Sequence, residues 1–212
     1  MTIMRLAANC NYGHESSAFA RRRWADLAYG AETGGNMRTT SIPSDRKSAR
    51  VALVREHVRL ENEHHLEGVL STFGENADYE DEAWGDNYAG RDGVRLYYEQ
   101  LMAALPDLEI RILQEHVTED NVLLEVLICG TPLGPWRGLP ATGRRVQIPL
   151  CGIYTFDDQD RLAGERIYYD RASVLRQLGV FREPQTLVGQ IGLLFNHPLT
   201  IARALFRSLF TS

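Results

Sequence analysis

The sequence predicts an α+β fold in which a curved, mostly antiparallel sheet wraps a layer of helices, with a further helical extension at the C-terminal end. Three changes of hydrophobic period carry that expectation. Residues Val94, Tyr97, Tyr98, Leu101, Met102 and Leu105 repeat as one face of an α-helix until Pro106 ends it. From Leu108 to Tyr169 the period falls to two, the signature of half-buried strands. Beyond residue 184 apolar residues return at helical spacing.

Taken in order, residues 1–43 mix Asn, Gly, Ser, Thr and Arg without a sustained period and read as a flexible tail. Ser44 or Asp45, after Pro43, supplies the cap of a first helix whose Val51, Val54 and Val58 share a face. His64 and His65 interrupt it. Leu66, Val69, Leu70 and Phe73 then give a short second helix stopped by Gly74, and Ala77–Tyr88 reads as one or two short strands around Gly85. After the clear helix come a strand through Leu108, Ile110 and Ile112 and a central strand from Val122 to Cys129. A third alternating set runs from Val146 to Phe156, and a last strand from Arg161 to Tyr169 follows the turn at Asp157–Asp160. The expected organisation is a tail (1–43), one α+β domain (44–180) and a helical extension (181–212).

Composition narrows the function. With 212 residues, 44% of them hydrophobic, the chain can bury one sizeable core. A formal charge of -5 argues against nucleic acid as a partner, because neutralising phosphates needs a clustered excess of Lys and Arg. Cys10, Cys129 and Cys151 are far apart and form no CxxC pair, so neither a metal site nor a disulfide framework is expected. With no secretory-type apolar stretch near the start and no run of eighteen apolar residues, the expected location is the cytoplasm, with no transmembrane span.

Four segments carry a resemblance. Gly90-Arg91-Asp92-Gly93 opens the clear helix and Leu105-Pro106-Asp107-Leu108 closes it. Gly138-Leu139-Pro140-Ala141-Thr142-Gly143-Arg144 connects two strands, and Tyr168-Tyr169-Asp170 is followed by Leu175-Arg176-Gln177-Leu178-Gly179. In this order they resemble the SnoaL-like polyketide cyclase family of the NTF2-like superfamily, over roughly residues 50 to 180. The resemblance implies a cone-shaped NTF2-like domain that closes polyketide rings by aldol condensation of an ester, without a cofactor, using an aspartate as general acid and base. It also places that aspartate three residues before Asp170, where this chain has Ile167.

An isoleucine exchanges no proton, so the acid must come from elsewhere or be absent. Strand alternation puts Glu165, Ile167 and Tyr169 on one face and Arg166 and Tyr168 on the other. Glu165 is therefore the nearest substitute. Asp81, which alternation pairs with Tyr79 and separates from Glu80 and Glu82, is a second candidate. If it faced Glu165 across a dry pocket, the two carboxyls would split into an acid and a base. Asp170 is a third, or else the cap of the helix after it. Tyr79, Trp84, Trp136, Ile167, Tyr169 and Tyr154 are the expected substrate-binding residues, with Trp136 and Leu139 folding their loop over the cavity mouth. The histidines His57, His64, His65 and His116 form no metal motif.

The expected function is carboxylate acid–base catalysis (aldol cyclisation or a related isomerase or lyase step) on a small apolar carbonyl compound. The alternative is a non-catalytic binding or oligomerisation module. A homodimer is expected. Arg203 and Arg207, one turn apart in the last helix, mark it either as a peripheral membrane contact or as a helix packing on its own domain or a dimer mate.

Overall fold

The computed structural model describes residues 44–210; the tail expected over residues 1–43 lies outside the described residues. Helix α1 (Ser44–Asn62) and the short α2 (Leu66–Thr72) lead into β1 (Phe73–Asp81) and β2 (Asp86–Ala89). Helix α3 (Gly90–Ala104) precedes four long strands, β3 (Glu109–Val117), β4 (Asn121–Gly130), β5 (Val146–Phe156) and β6 (Leu162–Tyr169). Three helices follow: α4 (Arg171–Gln177), α5 (Leu187–Asn196) and α6 (Pro198–Phe210).

The strands form one six-stranded sheet in the order β2-β1-β6-β5-β4-β3. All neighbours are antiparallel except β1 and β6, which run parallel. This is the α+β architecture that the change of period predicts.

Two local differences from the sequence reading have plain causes. Phe73 and Gly74 belong to β1 rather than to the end of α2: Phe73 takes an extended conformation, and its amide caps the helix on the Leu70 carbonyl. Gly74 lies close to the β5–β6 turn: a Cβ at that position would stand 2.5 Å from the Asp157 carboxylate, which would have to shift to make room. His64 absorbs the break between α1 and α2 in a left-handed conformation, φ 54°.

One face of the sheet is buried. Ala77, Tyr79 and Asp81 of β1 and Leu162, Glu165 and Ile167 of β6 share it with Leu150 and Tyr154 of β5 and Val122, Leu124 and Val126 of β4. The odd spacing between Leu162 and Glu165 is reconciled by a register shift between β5 and β6 at Thr155/Phe156. Val54 and Val58 of α1 and Val94, Tyr98 and Leu101 of α3 close the core from the other side. Each such fully buried side chain contributes on the order of 1.5–3 kcal/mol.

Helix α4 packs on β5, while α5 and α6 pack on each other. Among the described residues, none after Leu178 belongs to the hydrophobic core. Among the described residues, no helix is long and apolar enough to cross a membrane.

Candidate functional site

Two clusters of polar side chains are buried beneath α3, and both are organised by strand register. The first surrounds Asp81. Its Cα partner on β6 is Ile167, so its carboxylate occupies the same face, one strand away, about 4.8 Å across the sheet. Only 1% of Asp81 is exposed. Its Oδ2 accepts from Arg137 Nη2 at 2.5 Å and from the Tyr169 hydroxyl at 3.1 Å, and its Oδ1 accepts from the Ala83 amide at 3.1 Å. Burial pushes this carboxyl upward and Arg137, the chief opposing influence, does not fully cancel it, so its pKa is raised.

Arg137 owes its position to a tight turn. Trp136 and Leu139 exchange both backbone hydrogen bonds, at 2.9 and 2.8 Å, leaving Arg137 and Gly138 as the two turn residues with φ of 53° and 76°. This is the pattern of a type I′ turn, in which the first position favours Asn, Asp or Gly. Placing an arginine there costs backbone energy, on the order of 1 kcal/mol or more. What the molecule gains is a guanidinium that reaches Asp81, Asp86 and the Tyr88 hydroxyl together. It also lies over the Trp84 and Tyr97 rings, at 5.7 and 5.8 Å from their centroids.

The second cluster surrounds Glu165, which is 5% exposed. The Thr72 hydroxyl donates to the Val69 carbonyl at 2.6 Å, so it can only accept from His57 Nδ1, 2.8 Å away; that ring nitrogen carries a proton. On the other side, His57 Nε2 lies 2.9 Å from the Tyr98 hydroxyl, 3.3 Å from Glu165 Oε2 and 3.7 Å from Glu61 Oε2. Tyr98 spends its one proton on Glu165 Oε2 at 2.9 Å. Nε2 must then donate as well, which makes His57 an imidazolium. Burial opposes that charge, but Glu61 and Glu165 outweigh it, so the His57 pKa is raised. Burial also pushes Glu61 up to about 7, with His57 opposing, so this carboxyl retains a proton into the neutral range.

Between the clusters lie stacked tyrosines. Tyr79, the Cα partner of Glu165 on β1, stacks on Tyr97 with ring centroids 3.7 Å apart and donates to its hydroxyl at 2.8 Å. Tyr97 in turn faces a cavity of about 510 Å³ lined by Tyr88, Leu101, Trp136, Arg137 and Asp86 among others. Aromatic and aliphatic side chains of the wall are joined by the Arg137 guanidinium, the Asp86 carboxylate, the Gln100 amide and the hydroxyls of Tyr88 and Tyr97 as its polar groups.

Of the expected substrate-binding residues, Trp136 lines this cavity. Tyr79, Ile167 and Tyr154 are core residues behind it, Tyr169 holds Asp81, and Trp84 packs beneath Arg137 and Arg171. Asp81 and Glu165 do share a face, but they stand on adjacent strands and belong to separate clusters rather than facing each other across a hollow. Glu165 is walled in by Tyr98, Tyr154 and His57. Asp170 is exposed at the N-terminal end of α4, and its side chain makes no capping bond.

Sequence reasoning passed over Arg137, Tyr88, Asp86 and Glu61, and read Tyr97 and Tyr98 only as a greasy helix face. The tyrosine pair on that face was the available signal, because a buried phenol needs a hydrogen-bond partner. Among the described residues, no group of three or more His, Cys, Asp or Glu is arranged to hold a metal ion.

This architecture is of the ketosteroid isomerase-like, or NTF2-like, class: a protein of that fold from Catenulispora acidiphila superposes with a TM-score of 0.53 over 60% of this chain and 92% of its own, at 18% identity. Within that class the chain belongs to the SnoaL-like polyketide cyclase family, whose model matches residues 51–178. AclR from Streptomyces galilaeus is similar in structure, with a TM-score of 0.56 and 23% identity over 64% of this chain and 99% of AclR. So is SalBIII, an epoxide hydrolase/cyclase-like enzyme of pyran ring formation in the polyether salinomycin, with a TM-score of 0.53 and 21% identity over 59% of this chain and 94% of SalBIII. No functionally curated protein matches the chain.

Proposed function

We propose that the protein is a ring-closing acid–base enzyme acting on a neutral, largely apolar carbonyl compound, with Asp81 as the proton-exchanging group. The observation that carries this reading is the register of β1 on β6. Where the family resemblance leads one to expect an aspartate, the chain has Ile167, and the carboxylate of Asp81 stands beside it on the neighbouring strand. Family membership and the pyran-ring role of SalBIII both favour a cyclisation.

The chemistry follows from the contacts. A substrate carbonyl entering past Trp136 takes over N–H groups of Arg137, which loosens the guanidinium from Asp81. The freed carboxylate removes a proton from the carbon beside that carbonyl, and the enolate oxygen is stabilised by Arg137 and the Tyr97 or Tyr88 hydroxyl. The carbanion attacks a second carbonyl of the same molecule. Asp81 then returns the proton to the new alkoxide, so no atom is gained or lost. Because Asp81 and Asp86 already neutralise Arg137, the site repels an anionic substrate; an ester suits it better than a free acid. Glu165, Tyr98 and His57 support the inner wall rather than touch the substrate.

The test uses the full chain with linear β-keto methyl esters in D₂O, following deuterium entry at the α-carbon by NMR and cyclic product by mass spectrometry. Asp81→Asn should slow both by roughly 100-fold or more, the usual worth of a positioned acid–base group. Equal rates in the variant and the parent would remove Asp81 from the role. Tight ester binding with neither exchange nor product would instead favour the non-catalytic binding module, a reading supported by the way Arg137 screens Asp81 from the cavity.

A further inference from the structure

The pairing of β1 with β2 sets Tyr79 opposite Tyr88, and α3 packs Tyr97 against both. The Tyr97 ring is held on three sides. It stacks on Tyr79 with centroids 3.7 Å apart and meets the rings of Tyr98 and Tyr88 edge-on, at 5.2 and 5.4 Å. A phenol enclosed in this way keeps its oxygen in place, and only the O–H bond is left to rotate.

Proton balance fixes that rotor as well. The Tyr79 and Tyr97 hydroxyls share one hydrogen bond of 2.8 Å but carry two protons. Tyr79 is 3% exposed, and among the described residues Tyr97 is the one acceptor that its hydroxyl meets. Were Tyr97 to donate, the Tyr79 proton would be stranded in the core. Tyr79 therefore donates and Tyr97 accepts, which leaves the Tyr97 proton without an acceptor among the described residues. Tyr97 lines the cavity of about 510 Å³, so that is where its proton can find one. Both phenols keep their protons: burial raises them well above the usual phenol range, with Glu165 reinforcing the effect on Tyr79 and Asp81 that on Tyr97.

Accepting a bond at its oxygen polarises a phenol and makes it a better donor. Tyr88 is also polarised, by Arg137 Nη1 at 3.1 Å, but that bond is lost when the guanidinium turns to a substrate. The Tyr79–Tyr97 bond does not involve Arg137 and survives the same movement. A donor aimed in advance from a dry wall is worth most where a carbonyl oxygen gains negative charge.

We propose that Tyr97 is the hydrogen-bond donor that meets the ketone oxygen of the substrate, and that Tyr79, buried behind it, is the positioning residue that aims and polarises the Tyr97 O–H. This rests on the acid–base reading of the same cavity. The first experiment is infrared spectroscopy of the full chain with a dimethylated β-keto methyl ester, isotope-labelled at the ketone, which has no proton between its carbonyls to exchange. The ketone band should lie at lower wavenumber in the parent than in Tyr97→Phe, with Tyr79→Phe between them. The second is α-deuterium exchange of linear β-keto methyl esters, which should slow about 100-fold in Tyr97→Phe and roughly three- to tenfold in Tyr79→Phe. Adding Tyr79→Phe to Tyr97→Phe should change the rate by less than about twofold, whereas a residue that only packs would slow both backgrounds equally. All three variants keep the aromatic stack. The proposal fails if the labelled ester does not bind, if its band is the same in the parent and in Tyr97→Phe, or if loss of the Tyr79 hydroxyl moves neither band nor rate. It fails equally if that loss slows both backgrounds alike. A parent that orders the bands as expected yet exchanges no deuterium supports the donor pair and refutes instead the role of Asp81.

Discussion

Replacing Arg137 by methionine isolates the charge at the centre of the Asp81 cluster, since methionine keeps an unbranched stem and pays a similar backbone cost at φ 53°. The Arg137 side chain is 10% exposed and Asp81 only 1%, so the pair is buried. Its loss leaves a carboxylate with the Tyr169 hydroxyl and the backbone amides of Ala83 and Trp84 but no countercharge, and breaking such a pair costs about 3–5 kcal/mol. The Asp86 arm, 43% exposed, adds under about 1 kcal/mol. At 2–4 °C per kcal/mol for a domain of this size, the melting temperature at pH 8 should fall by roughly 10 °C.

The sign of the pH dependence is fixed. Burial already raises the Asp81 carboxyl, and removing Arg137 raises it further. A carboxyl whose folded pKa lies above its unfolded value penalises the fold progressively as pH rises through the folded pKa. The deficit of the variant should therefore be smaller at pH 5 than at pH 8. Adding Asp81→Asn removes the stranded charge, so the double variant should recover most of the lost stability. Urea unfolding at both pH values measures all three proteins. An Arg137→Met protein within about 1 kcal/mol of the parent at pH 8, or a double variant no more stable than the single one, would refute the assignment of a buried ion pair.

Two further outcomes test the inner cluster. Glu61, pushed up to about 7 by burial, and His57, whose pKa is raised by its carboxylates, are both raised groups, so the stability they contribute is lost as pH rises through neutrality. Glu61→Gln should flatten the fall in melting temperature between about pH 4.5 and pH 7, read by calorimetry. Tyr98→Phe keeps the ring but removes the hydroxyl that joins His57 Nε2 to Glu165, and should cost about 1–3 kcal/mol in denaturant unfolding.

The fold was legible wherever burial imposes a period. Val94 to Leu105 announced α3, and the alternation through β5 and β6 put Glu165, Ile167 and Tyr169 on one face, as the structure does. Asp81 and Tyr79 were separable from Glu80 and Glu82 for the same reason, and Glu80 indeed pairs outward with Arg166. What alternation cannot tell is which strands are neighbours. The parallel contact of β1 with β6 joins distant parts of the chain, so the nearness of Asp81 to Ile167 was hidden. Arg137 was hidden too, because its role depends on a turn whose first position is ordinarily held by smaller residues. Tyr98 and His57 were masked by their own success: their polar ends are so fully satisfied that the residues pattern as core.

The side-by-side placement of Asp81 and Ile167 makes the location of a reactive carboxylate a property of the sheet rather than of any one strand. A single-residue slip of β1 along β6 would turn Asp81 outward to the solvent side and bring Glu80 or Glu82 inward, stripping Arg137 of its partner in the same movement. The irregular step between Phe73 and Asp78, where β1 changes its pairing with β6, thus sets chemistry at a distance: an insertion or deletion in that stretch would relocate the acid without touching it.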